Sequence, residues 1–267
     1  ISYATPARVQ APIEALIREV REEHMSAHLT GKVVVVTGAG NGFGRLISEK
    51  CAAGGAAVVA IDVNADHLDD VVAGIGEAGG QALAQVADVT DLAQLKAAAT
   101  RAVETFGAID VLVNNAGVMP LAYFADHEKA WQRWHQAIDI NIKGVVNGIC
   151  AVYDQMIAQG RGQVVNISSI YGNGGISGAG VYSATKAAVT AISDALRVET
   201  QGRIKVTTVK PTGVFGTNLA GGIVNQTAIM DLAGQNGPLF AGNLSNLMSG
   251  SLRPEQTDVD SVQYWLI

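Results

Sequence analysis

Cysteine is scarce: Cys51 and Cys150 are the only two in 267 residues. A disulfide-stapled scaffold would carry more, at framework spacings. Both fall in helix-like segments and are expected as small buried hydrophobes, and no metal site is expected. Charge is scarce too, at 16% of residues, while hydrophobic residues reach 48%. That balance excludes an intrinsically disordered chain. A basic excess is missing, since the net charge is -6, which argues against a broad nucleic-acid footprint. Long apolar runs are missing as well. The stretches 162–185 and 211–230 are uncharged but broken by Gly, Asn, Ser and Thr. Neither holds the ~20 consecutive apolar residues of a membrane span. With so few cysteines and no secretory leader pattern, a reducing cytoplasm is the expected compartment.

Glycine is in excess. The 31 glycines are about 12% of the chain, against a typical ~7%. They follow no Gly-X-Y period and form no low-complexity run. They are expected at tight turns and where backbone approaches a ligand closely.

Residues 1–30 stand apart. Pro12 suits a first helical position, and Ile13, Leu16, Ile17 and Val20 follow at helical spacing among charged residues. This predicts an amphipathic helix docked on its own domain or on a neighbouring subunit. From Lys32 onward strands and helices alternate. Strands are predicted at Val33–Thr37, Ala57–Asp62, 81–87, 110–113, Gln163–Ile167 and 204–209. Helices are predicted at 43–53, Ala65–Glu77, 91–106, 128–137, 142–158 and 182–200. The pattern implies an α/β fold with a doubly wound parallel sheet. No linker divides it, so residues 31–267 are expected as one domain. Residues 214–250 carry seven glycines, a single charge (Asp231) and scattered Leu, Ile, Met and Phe. An apolar lid is expected there.

The first strand runs into Thr37-Gly38-Ala39-Gly40-Asn41-Gly42-Phe43-Gly44 and then a helix. A glycine turn at a helix N-terminus is an anion site, because backbone N–H groups and the helix dipole both favour a phosphate. In this strand–turn–helix context Gly38 permits the turn, Gly42 admits a pyrophosphate and Gly44 allows close helix packing. Asp62 ends the second strand about 18 residues after Gly44, placed to accept hydrogen bonds from adenosine ribose hydroxyls. It would repel a 2′-phosphate. Neither Asn41 nor Val63 offsets that charge, and Arg45 is the one nearby cation, so NAD is expected over NADP. Asp88 lies at the same sheet edge beside Val89. Asp91 is the better helix cap, which leaves Asp88 for the cofactor. Asn114-Asn115-Ala116-Gly117 ends the fourth strand and suits either backbone bracing or cofactor contact.

Tyr182 and Lys186 are spaced to share one face of a helix. They follow a loop holding Gly172, Gly174, Gly175, Gly178 and Gly180, and the fifth strand ends in Ser168-Ser169. Together with Thr37-Gly38, Gly42, Gly44, Asp62, Asp88, Asn114 to Gly117, Asn141, Ser169, Tyr182-Ser183-Ala184-Thr185-Lys186 and Pro211, this pattern resembles the short-chain dehydrogenase/reductase family over residues 32–217. The resemblance implies a Rossmann-like, single-domain NAD-dependent enzyme that is a homo-dimer or homo-tetramer. It implies that Tyr182 is the general acid/base, that Lys186 with the positive nicotinamide lowers its pKa, and that Lys186 holds the nicotinamide ribose. Ser169, which precedes Tyr182 by 13 residues, would stabilise charge on the substrate oxygen. Asn141 would hold a relay water. The implied cofactor contacts are Gly38, Gly40, Asn41, Gly42, Phe43, Gly44, Asp62, Asp88, Val89, Asn115, Ala116, Gly117, Tyr182, Lys186, Pro211, Val214 and Thr217.

Two departures from the family pattern stand out. Thr212 replaces a glycine after Pro211 and competes with Thr217 for the carboxamide contact. The end of the chain, Ser261 to Ile267, lacks the usual last-strand signature. The apolar lid, with Met119 and Tyr171, implies a hydrophobic secondary alcohol or ketone. The alternatives are an NADP-dependent carbonyl reductase and a non-catalytic NAD-binding regulator.

Overall fold

The computed structural model describes residues 28–211, 219, 223–225 and 227–228. The expected N-terminal helix, Thr212, Val214, Thr217, most of the expected lid and the Ser261 to Ile267 segment lie outside the described residues.

Six strands form one parallel sheet: β1 (Val33–Thr37), β2 (Ala57–Asp62), β3 (Gln81–Val86), β4 (Val111–Asn114), β5 (Gln163–Ile167) and β6 (Lys205–Val209). Their spatial order is β3-β2-β1-β4-β5-β6. Every neighbouring pair is parallel. The order reverses between β1 and β4, where a crevice must open at the carboxyl ends of the strands. Helices fill the crossovers: α1 (Gly42–Ala53), α2 (Ala65–Glu77), α3 (Leu92–Phe106), α4 (His127–Ile138), α5 (Gly144–Gln159) and α6 (Gly180–Glu199). No helix among the described residues is long and apolar enough to cross a membrane.

The strand residues explain the two layers. In β1 all five residues are buried, as a β-branched run covered on both faces requires. Successive side chains alternate faces. Val33 and Val35 pack with Val59, Ile61 and residues of α3, α5 and α6. Val34 and Val36 pack with Val58, Ala60 and residues of α1 and α2. Cys51 lies in this second core, where burial pushes its thiol up to about 12. Cys150 departs from expectation. It is exposed on α5, because it lies on the helix face turned away from the Val145, Ile149 and Val152 that meet the core.

The expected separate helices at 128–137 and 142–158 differ from the observed arrangement. Backbone from Ile138 to Gly144 stays helical, with no proline to interrupt it. A π-turn, Asp139–Lys143, joins α4 to α5, and the Gly144 N–H reaches the Asp139 carbonyl. Such wide turns rotate one residue out of the regular ladder, often at functional sites. Here the turn holds Asn141, which is buried.

A buried polar chain ties the central strands to the helices. Asn114 Nδ2 donates to Asn166 Oδ1 at 2.9 Å, and Asn166 Nδ2 donates to Ser193 Oγ at 2.9 Å. Gly148 in α5 gives Asn114 its room: a Cβ there would lie 2.2 Å from Asn114 Oδ1. Gly→Ala inside a helix ordinarily stabilises by up to about 1 kcal/mol. Gly148→Ala is expected to do the opposite and lose roughly 1–3 kcal/mol. Urea unfolding checks the sign, and a stabilised variant would show that Asn114 yields freely.

Candidate active site

The site forms where β1, β4 and β5 end and α6 begins. Gly38 adopts φ +65, and a Cβ on it would lie 2.9 Å from Ala116 Cα. Gly44 is tighter still, since a Cβ would lie 1.9 Å from the Gly38 carbonyl oxygen. Glycine is therefore obligatory at both ends of the turn. Thr37 and Asn115 lock it. The Thr37 hydroxyl accepts the Asn115 N–H at 3.0 Å and the Ala116 N–H at 3.1 Å. Asn115 Nδ2 donates to the Thr37 and Gly38 carbonyls at 2.9 and 3.2 Å. Of the two roles open to Asn115, its side chain takes backbone bracing.

The turn fits a dinucleotide phosphate. Asn41 precedes α1 in extended conformation without a side-chain cap, and the first turn carries no acid. By contrast, Asn64 caps α2 and Asp91 caps α3 through their side chains. The first N–H groups of α1 thus keep their affinity for an anion. Phe43 packs partly buried on the α1–α2 core.

Asp62 sits beside this turn. Its carboxylate accepts the Gly40 N–H at 2.9 Å and the Asn64 N–H at 3.0 Å. A Cβ on Gly40 would lie 3.0 Å from the Asp62 carboxyl. A carboxylate has about four acceptor positions, so two remain for ribose hydroxyls. Arg45 forms an ion pair with Glu49 at 2.7 Å. Asp88 accepts the Thr90 N–H at 2.8 Å. Val89 is buried; its carbonyl accepts from Asn147 Nδ2 at 2.9 Å, and its side chain packs over Gly144.

Around α6, Ser169, Tyr182 and Lys186 are all buried. The Tyr182 hydroxyl lies near that of Ser169, which favours its phenolate form, while Ser169 Oγ accepts the Tyr171 N–H at 3.2 Å. Ser168 faces elsewhere, donating to the Lys186 carbonyl at 2.8 Å. Lys186 Nζ donates to the Ile167 carbonyl at 2.8 Å and stands 5.9 Å from the Tyr182 ring centre. Gly117 lies beside Lys186: a Cβ there would lie 3.5 Å from Lys186 Nζ and 3.3 Å from Asn141 Oδ1. Asn141 commits its whole amide to protein: Oδ1 accepts the Val118 N–H, and Nδ2 donates to the Val118 carbonyl and to Thr185 Oγ1. Pro211 lies behind this loop, its carbonyl accepting the Ile170 N–H at 3.2 Å.

Burial governs the ionisation here. Desolvation pushes Tyr182 up to about 12, opposed by the nearby Ser169 hydroxyl and reinforced by Tyr171. The expected lowering is by Lys186 together with the positive nicotinamide; in the free site burial moves the phenol the other way. Lys186 is itself desolvated and falls to about 8; the causes that act on the phenol are burial, Ser169 and Tyr171. Thr37, Thr185 and Val118 bond to the site's backbone and side chains, and sequence reasoning left them without a role. Thr37 and Thr185 stood inside the quoted motifs; the backbone contact at Val118 had no side-chain signature.

A family model described as short chain dehydrogenase matches residues 32–228. The chain belongs to the short-chain dehydrogenase family. Its relatives include the oxidoreductase UcpA of Salmonella typhimurium, 39% identical over 74% of this chain and 75% of that protein. The 2,5-dichloro-2,5-cyclohexadiene-1,4-diol dehydrogenase LinX of Sphingobium indicum is 37% identical over 71% of this chain and 76% of its own length. Glycine betaine reductase ATRR of Emericella nidulans is 37% identical over 75% of this chain, which spans only 16% of that longer protein. Among solved structures, a short-chain dehydrogenase/reductase from Burkholderia phymatum in complex with NAD superposes with TM-score 0.69 at 32% identity, covering 73% of this chain and 69% of that one. A metagenomic short-chain oxidoreductase in complex with NADP gives 0.64 at 33% identity, covering 68% and 83%. This short-chain dehydrogenase is thus an oxidoreductase whose structural neighbours bind NAD or NADP.

The depressed Lys186 has a consequence for stability. Its folded pKa, about 8, lies below its ordinary value of 10.5. Between these values the unfolded chain holds a proton that the folded chain has released, so stability rises with pH. Tyr182 has the opposite displacement, but its effect begins only above its ordinary value of 10.0. Relative to Lys186→Met, the wild-type unfolding free energy should be level below pH 8. It should then gain up to about 1.4 kcal/mol per pH unit toward pH 10. Urea unfolding at pH 7 and pH 9.5 checks this, and parallel pH profiles would contradict it.

Proposed function

We propose that this protein is an NAD-dependent alcohol dehydrogenase or ketone reductase. In this reading a hydride passes between NAD(H) and a hydrophobic secondary alcohol or ketone. The observation that carries the proposal is the convergence of Ser169, Tyr182 and Lys186, all buried, beside the glycine turn. When bound, the cofactor supplies or accepts the hydride and, oxidised, adds a positive charge.

Each residue has a task in this reading. In reduction, Tyr182 gives its proton to the carbonyl oxygen as the carbon receives hydride. Its elevated pKa keeps the phenol protonated at neutral pH, which suits this acid role. In oxidation the substrate hydroxyl returns a proton to the Tyr182 oxygen, a step that the oxidised cofactor's charge favours. Ser169 donates to the substrate oxygen as negative charge develops. Lys186 keeps donors beyond its Ile167 bond for the nicotinamide ribose. Asn141 stands where a relay water would link Lys186 to solvent, with its side-chain amide bonded to Val118 and Thr185. Gly38, Gly40, Gly42 and Gly44 with the α1 N-terminus hold the pyrophosphate, and Asp62 and Asp88 take the adenosine.

Asp62 favours NAD by repelling a 2′-phosphate, and the pairing of Arg45 with Glu49 leaves that repulsion uncompensated. The described wall beside Tyr182 is apolar: Leu121, Tyr171, Ala179 and Ala228 are buried together, with Met119 and Ile223 packed on them. That wall supports an apolar substrate, and the cyclic diol in the name of LinX is in keeping with it.

Two measurements test the proposal. Tyr182→Phe should lower turnover of a secondary-alcohol panel by about 10²–10⁴-fold while NADH binding, read by fluorescence, stays nearly unchanged. Retained turnover would remove Tyr182 from the mechanism. Asp62→Ala should weaken NAD and shift the NADP/NAD preference by on the order of tenfold, a difference of about 1.4 kcal/mol. An unchanged ratio would place cofactor choice elsewhere.

A further inference from the structure

Thr185 has no part in the chemistry just described, yet its hydroxyl joins the Tyr182 backbone to Asn141. It donates to the Tyr182 carbonyl at 2.7 Å and accepts from Asn141 Nδ2 at 3.0 Å. Asn141 also pairs with both backbone groups of Val118, each at 2.9 Å. Next in line is Gly117, where a Cβ would lie 3.3 Å from Asn141 Oδ1 and 3.5 Å from Lys186 Nζ. Thr185 and Asn141 are each 1% exposed, so water does not compete for these bonds.

The direction of the bonds matters. A hydroxyl has a single proton, and that of Thr185 is committed to the Tyr182 carbonyl. Toward Asn141 it is only an acceptor, and it admits only the NH₂ edge of the amide. That choice turns Asn141 Oδ1 toward the Val118 N–H and the second Nδ2 hydrogen toward the Val118 carbonyl. With the amide reversed, N–H would face N–H at Val118 and carbonyl would face carbonyl.

We propose that Thr185 is a positioning residue whose hydroxyl orients the Asn141 amide and so holds the Gly117–Val118 loop in register with Tyr182 and Lys186. The inference rests on the proposed roles of Tyr182 and Lys186. Removing the acceptor leaves one buried amide hydrogen unpaired and takes away one of the three bonds that hold the Asn141 side chain against Val118. The loop beside Lys186 then loses its fixed distance from the reacting groups.

The test compares Thr185→Val, which keeps the shape and loses the acceptor, with Thr185→Ser, which keeps both functions of the hydroxyl. Thr185→Ala serves if the valine variant fails to fold. Amide hydrogen exchange at Val118 reads the loop without reference to activity, and steady-state kinetics on a secondary alcohol reads the site. In Thr185→Val, Val118 exchange should quicken and kcat should fall, each by on the order of tenfold or more. KM for the alcohol and the NADH dissociation constant should stay within about twofold, and Thr185→Ser should restore both readouts. Unchanged Val118 exchange overturns the inference. Quickened exchange with unchanged kcat overturns the positioning role. If the wild type turns over no alcohol, the functional reading fails, and Val118 exchange alone decides whether Thr185 orients Asn141.

Discussion

Two parallel strands, β1 and β4, lie side by side and then send their chains to opposite faces of the sheet. Everything chemical in this protein depends on holding that parting place open without letting it fray. Thr37 and Asn115 do so with four hydrogen bonds between the strand ends. The bonds keep the glycine turn against β4, and the turn aims the uncapped start of α1 into the crevice. A side chain at Gly38 or Gly44 would force the two strand ends apart. At Gly38 and Gly44, glycine stands where backbone meets backbone.

The second half of the site uses burial in place of charge. Tyr182 and Lys186 lie within one helical turn, and both are removed from water. Each is pushed toward its neutral form, the phenol upward and the ammonium downward. The free site is therefore poised with a protonated acid next to a cation that releases its proton easily. An added positive charge acts strongly in such a setting, because little water screens it.

Much of the fold was legible in the sequence. The β-branched runs of β1, β2 and β5 fall within the predicted bounds, since a strand buried on both faces leaves a continuous apolar signature. Asp91 was readable as a cap from its place before an apolar-periodic run. The join between α4 and α5 was not readable, because a π-turn has no composition of its own. Cys150 was misjudged because residue type says little about which helix face a position occupies. Spacing brought Tyr182 next to Lys186, and the quoted motif added Ser169 and Asn141. The carbonyls and N–H groups that Asn141, Thr37 and Thr185 bind are chosen by distant segments and leave no local pattern.

The sequence by itself determined the alternation of strands and helices, the glycine turn and the identity of the residues with acid, base and donor chemistry. These follow from local rules: backbone freedom at glycine, side-chain periodicity and the intrinsic chemistry of each group. Only the tertiary structure decided what those groups are at neutral pH and which way they face. Desolvation of Tyr182 and Lys186 and the orientation of the Asn141 amide arise from atoms far apart in the chain. Ionisation and hydrogen-bond direction respond to everything within a few ångströms, and sequence order does not record that neighbourhood.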